Sequence, residues 1–178
     1  MSLTKMTDVE NCKITHYPSG ILAQRSKPVK KIDDSIRKLV DKMTDIMIEL
    51  KGVGLAAPQA GVPLRLFIIS LDGTRENVRV YVNPTVTPLG EVVSTEEGCL
   101  SVPTVVAKVR RFGRCKVTAT DLAGKEFTEE GEGLYARALQ HEYDHIEGIT
   151  IVSRMGPASK IANRKKIKEL IEKHEGQK

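Results

Sequence analysis

"RCKVTATDLAGKEFTEEGEGLYARALQHEYDHIEG", residues 114–148, runs a hairpin directly into a helix, and that succession settles the class of architecture. In the first part Cys115, Val117 and Ala119 alternate with Lys116, Thr118 and Thr120, the period of a half-buried strand. "LAGK" (122–125) supplies a turn, and the chain returns through 126–130 as the second strand. Cys115 faces inward in this register, which makes it a small core hydrophobe. From 134 to 147 the pattern changes to a helical one, and Gly148 stops it.

The same two periods organise the rest. Ile36, Leu39, Val40, Met43, Ile46, Met47 and Leu50 keep a 3–4 spacing that predicts a helix over 34–50, with Asp33 as its N-cap and Gly52 after its end. "LRLFIIS" (64–70) and "VRVYVNP" (78–84) read as strands joined by "DGTREN", "VVAKVRR" (105–111) as a shorter strand, and "ITIV" (149–152) as another. A basic helix beginning near Pro157 closes the chain, with Ile161, Ile167, Leu170 and Ile171 as a partial apolar face. Strands come first, helices stand at both ends and one is embedded, with no βαβ rhythm. The expectation is an α+β fold: antiparallel β-sheets around a central helix, with an N-terminal and a C-terminal helix.

At 178 residues the chain suits a single domain over 1–178. With 40% apolar and 29% charged residues it matches an ordinary globular protein, and no apolar run approaches the length of a membrane span. "MSLTKMTDVENC" lacks the hydrophobic core of a secretion signal and the Arg-rich character of a transit peptide, so a cytoplasmic protein is expected. Cys12, Cys99 and Cys115 are an odd number without export features, which argues against a disulfide framework. Residues 160–178 hold seven basic and three acidic side chains and so carry +4 of the net +5. Such a helix can meet phosphates or an acidic partner, or can simply be solvated.

The embedded helix carries the chemistry. At about 100° per residue, Arg137, Gln140, Asp144 and Glu147 share one side, and Leu134, Ala138, Leu139 and Ile146 share the other. His141 and His145 point together from the apolar side, with Glu142 between them. Unpaired buried imidazoles and carboxylates are costly, and a divalent metal compensates all three at once. This is the H-E-x-x-H arrangement, in which the glutamate handles the proton of a water on the ion. The competing reading is two satisfied core histidines beside a surface glutamate.

A catalytic site of this kind needs a third ligand. The pattern H-E-x-x-H-x-x-G-x-x-H fails at Ile151, and Glu169, Glu172, His174 and Glu175 lie on the basic helix, a poor setting for a buried ligand. Upstream, Cys12 is near the chain end and Cys115 is committed to packing, which leaves Cys99 in "TEEGCLSVP" (95–103). One thiolate and two imidazoles make an N₂S set for Fe²⁺ or Zn²⁺ with an open fourth position. A buried thiol with no metal is the alternative for Cys99. "GVGLAAPQAG" (52–61) offers an uncluttered backbone along which a substrate can pair in strand fashion, and Gln59 an amide donor; alone it is also an ordinary helix stop.

"GVGLAAPQ", "EGCLS" and "QHEYDH", in this order, resemble the three signature motifs of the peptide deformylases, and weaker similarity extends through "HYPSGILAQRSKPV" and "VNP". The resemblance implies a metal-dependent hydrolase that removes the N-formyl group from the initiator methionine of nascent polypeptides. It carries over Cys99, His141 and His145 as metal ligands, Glu142 as general base and then acid, and Gln59 with the Leu100 N–H as oxyanion donors. It also implies substrate contacts at Gly54 and a methionine pocket near Val53, Leu134 and Ala138. Many relatives have an arginine where this chain has Val106, and in some the basic C-terminal helix docks on the ribosome. Glu97, Arg111 and Asp144 either orient the ligands or form surface ion pairs. Another metallopeptidase and an inactive binding protein of the ribosome or nascent chain are the rival readings.

Overall fold

The structure, a computed structural model, describes residues 9–176. Residues 1–8 of the N-terminal reading and Lys178 of the basic tail therefore lie outside the described residues. Helix α1 spans Asp34–Glu49 and starts where Asp33, in an extended conformation, accepts from the N–H groups of Ser35 and Ile36. Those are donors that a helix start otherwise leaves without partners. Its expected stripe is buried from Ile36 to Met47, and packs with Leu55, Leu66 and Ile68.

Five strands follow: β1 Gly54–Ala56, β2 Leu66–Ile69, β3 Arg79–Cys99, β4 Val102–Thr120 and β5 Glu126–Glu132. They form one sheet in the order of the chain, and every neighbouring pair is antiparallel. The runs at 78–84, 105–111 and 114–120 are parts of two long strands, 21 and 19 residues. Pro84, Pro88, Gly90 and Gly113 break the sequence pattern, but the ladder shifts register at Val82/Thr85 and Leu89/Val92 and continues. Those irregularities let one pair of strands serve two cores. Cys115, Val117 and Ala119 pack with Phe67, Tyr81 and Leu139; Val105, Ala107 and Val109 pack with Ile151 and Met155.

Helix α2, Gly133–Ile146, lies in the first of these cores. It ends because Gly148 adopts φ +76, so that the Gly148 N–H donates to the His145 carbonyl and the Ile149 N–H to the Asp144 carbonyl at 2.8 Å. The chain therefore turns off immediately after the second histidine.

Two expectations are corrected here. "ITIV" is not a strand: Ile151–Arg154 forms a short helix, α3, whose start is capped by Thr150 accepting from the Ser153 N–H. A four-residue apolar run carries no period that separates the two states. Helix α4, Pro157–Glu175, leaves Ile161 77% exposed, so the apolar face is narrower than its sequence implies and rests on half-buried Ile167 and Leu170. No helix among the described residues is long and apolar enough to cross a membrane.

Candidate metal centre and active site

Three elements bring the donors together. α2 delivers His141 and His145 one turn apart, and Cys99 ends β3, where the tight connection to β4 pairs it with Val102. The Cys99 Sγ lies 3.3 Å from His145 Nε2, which lies 3.3 Å from His141 Nε2. These three are the group of ligand atoms among the described residues that can share one ion, all within 4.8 Å of one another. A tetrahedral ion about 2.1 Å from nitrogen and about 2.3 Å from sulfur sets its donors about 3.4–3.6 Å apart, close to the two 3.3 Å separations that His145 makes.

Electrostatics agree. Burial would raise the Cys99 thiol, but His145 and His141, by charge and hydrogen bonding, hold it well below the usual thiol range. Burial would likewise lower His141, yet Cys99 and Glu97 hold it well above the usual imidazole range. A thiol lowered by two imidazoles is the kind that serves as a metal ligand, since the thiolate is the ligating form.

A buried ionic chain fixes the first imidazole. His141 Nδ1 meets Glu97 Oε2 at 3.1 Å, leaving Nε2 for the ion. Arg111, only 3% exposed, donates Nε and Nη2 to Glu97 at 3.0 Å each and Nη1 to Asp144. Arg154 on α3 closes the chain by donating Nε to Asp144 at 2.9 Å. Of the two readings open for Glu97, Arg111 and Asp144, the geometry excludes surface ion pairs: the three side chains are buried, and Glu97 holds the His141 ring. The polar side expected on α2 is correspondingly wrong at Gln140 and Asp144, both buried. β4 covers that side: Gln140 accepts from the Phe112 N–H at 3.0 Å and donates to its carbonyl at 2.8 Å.

Glu142 is different. Its side chain is buried and its Oε2 has no hydrogen-bond partner among the described residues, as is also true of His145 Nδ1. Burial pushes its carboxyl above the ordinary glutamate range, against the pull of His141 and His145. A raised, unpaired carboxylate beside a ligand cluster has the state a proton carrier needs. Gly54 defines its other side, since a Cβ there would stand 2.5 Å from Glu142 Oε1 and 2.9 Å from Cγ. Gly54→Ala should therefore displace the carboxylate and lower kcat about 10²-fold, with metal content unchanged. Steady-state kinetics with metal analysis checks it, and unaltered kcat would mean that the carboxylate's position is not critical.

Gln59 sits in the 3₁₀ turn Ala57–Ala60, with its amide orientation fixed: Oε1 accepts from the Ala56 N–H at 2.8 Å, and Nε2 points at Ser101 Oγ, 3.1 Å, and Cys99 Sγ, 3.5 Å. The cleft above has a volume of about 650 Å³. One wall comes from residues 50–54 and the other from 96–100 and 102–106, and Val53, Gly54, Gln59, Leu100, Leu134, Ala138, His141 and Glu142 all line it. Leu134 is 47% exposed because it opens into this cleft. Val106 stands at its mouth, 53% exposed.

Sequence reasoning missed the strap at 15–17. The Thr15 N–H donates to the Gln59 carbonyl at 2.7 Å and the Tyr17 N–H to the Ser101 carbonyl at 2.9 Å, tying two motif loops together. His16 between them lines the cleft. Backbone bonds leave no residue-type signature, so only the similarity of "HYPSGIL" pointed there. Arg154 was missed as well, because its partner lies across a turn read as a strand.

Comparison with known proteins adds an independent line. The family model for polypeptide deformylase matches residues 11–161. A peptide deformylase of Thermodesulfovibrio yellowstonii is 37% identical over 158 residues, 88% of this chain and 96% of its own length. Among solved structures, a plant peptide deformylase superposes with a TM-score of 0.90 at 35% identity, over 94% of this chain and 92% of that one. A peptide deformylase from Legionella pneumophila does so with a TM-score of 0.85 at 39% identity, over 94% and 98%.

Proposed function

The chain belongs to the polypeptide deformylase family, as a metal-dependent hydrolase that removes the N-formyl group from nascent polypeptides, and from that premise we propose the role of each residue. Cys99, His141 and His145 hold one divalent ion, Fe²⁺ or Zn²⁺, both of which suit one sulfur and two imidazoles. When bound, such an ion supplies Lewis acidity, bringing the pKa of water towards neutrality and polarising the formyl oxygen.

Glu142 then does the proton work. Its unpaired Oε2 takes a proton from the attacking water and passes it to the amine nitrogen as the C–N bond breaks, so that formate and a free N-terminus leave. Gln59 Nε2 and the Leu100 N–H donate to the formyl oxygen as it gains charge. Gly54 and its edge strand β1 present backbone groups to the substrate, and Val53, Leu134 and Ala138 receive the methionine side chain. The tight approach of Gly54 to Glu142 favours a formyl carbon bearing only hydrogen.

The observation that carries this reading is a buried carboxylate with a free oxygen beside three converging donors at the floor of an open cleft. Formyl-methionyl peptide incubated with the metal-loaded protein should release formate, while the unformylated peptide stays intact. Cleavage of internal peptide bonds would overturn it. The same reading places the enzyme in the cytoplasm beside emerging chains, with exposed Arg164, Lys165 and Lys168 of α4 available to ribosomal phosphates. Arg164→Glu with Lys165→Glu should abolish co-sedimentation with ribosomes if those charges dock, and unchanged co-sedimentation would refute the docking.

A further inference from the structure

Helix α4 does something that its charge does not explain. Over Val102–Lys108, β4 has β3 as its one strand partner among the described residues, since β5 pairs with it only from Arg114 to Thr120. The outer edge of β4 at 104–108 therefore has backbone groups turned away from β3 that need other partners. α4 supplies them from one face. Lys166 Nζ donates to the Thr104 carbonyl at 2.8 Å, Asn163 Nδ2 to the Val106 carbonyl at 2.9 Å, and Ser159 Oγ accepts from the Lys108 N–H at 3.2 Å.

The spacing is what a helix lying along a strand requires. Ser159, Asn163 and Lys166 are four and three residues apart, hence on one helical face, and they meet alternate residues of β4, whose outward groups recur every second position. Asn163 is 6% exposed although it is an amide on a helix with a solvated, charged surface. Its Nδ2 also donates to the Ser159 carbonyl, so that nitrogen bridges the helix and the strand. Behind the strand, Val105, Ala107 and Val109 pack with Ile167 and Leu170 of the same helix.

This braced segment is the cleft wall. Thr104, Val105 and Val106 line the cleft, and Val106 pairs with Gly98, one residue from the ligand Cys99. Thr104 adopts φ +67, a left-handed conformation that a β-branched residue rarely takes without outside support. Its carbonyl is the one that Lys166 holds.

We propose that α4 is a positioning element for peptide binding, in which Lys166 and Asn163 set the wall at Thr104–Val106 against which the substrate lies beyond its formyl-methionine. The inference rests on the deformylase reading. The formyl end is fixed by Cys99, Glu142 and Gln59 at the floor of the cleft. Residues of the peptide further along leave past Val106, so a wall displaced by loss of its brace alters their binding and leaves the reacting bond where it was.

The test compares a short substrate, formyl-methionine amide, with a formyl-methionyl tetrapeptide on the metal-loaded full chain. Lys166→Met, which keeps the side-chain stem, should raise KM for the tetrapeptide about five-fold, the scale of one ordinary solvent-exposed hydrogen bond, with kcat and the short-substrate kinetics unchanged. Lys166→Arg should restore it. Asn163→Ala should act in the same direction, and faster amide exchange over 104–108 in both variants reports the loosened wall if that variant is too unstable for kinetics. Equal loss on both substrates, or no change in KM and exchange with either variant, overturns the proposal. Absence of deformylation by the unaltered protein would instead overturn the reading on which it rests.

Discussion

Glu142→Gln should lower turnover of a formyl-methionyl peptide by about 10⁴-fold, at the upper end for a general acid–base group because in the proposed mechanism the same carboxylate serves both proton transfers. The substitution is nearly isosteric and keeps the contact with Gly54, so folding and metal content stay at the level of the unaltered protein. The amide cannot accept the proton of the attacking water at neutral pH, nor return one to the leaving nitrogen. That loss differs from the one caused by removing a metal ligand, in which the ion goes as well. Kinetics and metal analysis on the same preparation check both halves, and turnover within ten-fold of normal would remove Glu142 from the chemistry.

Arg111→Met should produce the largest loss of stability. The substitution keeps most of the volume but leaves Glu97 buried with only His141 as a partner, and Asp144 with only Arg154 on α3. Removing one member of a buried ionic group costs about 3–5 kcal/mol, because the remaining charge is stranded. Denaturant unfolding should show a lower midpoint at unchanged slope. The pH dependence gives a second signature. Burial would raise the Glu97 carboxyl, but hydrogen bonds from His141 and Arg111 and the charge of Arg111 lower it to about 2. A depressed folded pKa stabilises above the unfolded value, and the contribution disappears as pH falls through the folded one. In the unaltered protein this contribution should be complete above the ordinary glutamate range, begin to fall as pH drops below ~4.5, where the unfolded chain takes up the proton, and be nearly exhausted by pH ~2. In the variant, without Arg111 to lower the Glu97 carboxyl, there is less of this contribution to lose and the decline with falling pH is shallower. An unfolding midpoint unchanged by Arg111→Met would contradict the account of the buried chain.

Helices α1 and α2 were legible because their periods and stops are local. Asp33 caps α1 and Gly148 ends α2 as their residue types dictate. The hairpin from Cys115 to Glu130 kept its register, and Cys115 is fully buried. The convergence of Cys99, His141 and His145 was legible for another reason: the two histidines are one turn apart, and elimination among three cysteines left Cys99. What the sequence did not reveal depends on contacts between distant segments. The long ladder of β3 and β4 crosses prolines and glycines that look like strand ends, and only pairing across the sheet carries it through. Gln140 and Asp144 look like a solvated face until Arg111 and the Phe112 backbone arrive from β4. α3 hid inside a four-residue apolar run, and the strap at 15–17 acts through main-chain groups common to every residue type.

X-ray absorption at the metal edge of the anaerobically purified protein is the most direct measurement. It should show one sulfur at about 2.3 Å and two imidazole nitrogens at about 2.0–2.1 Å, with the sulfur lost in Cys99→Asp. A first coordination sphere of nitrogen and oxygen alone in the unaltered protein would contradict the joint coordination by Cys99, His141 and His145.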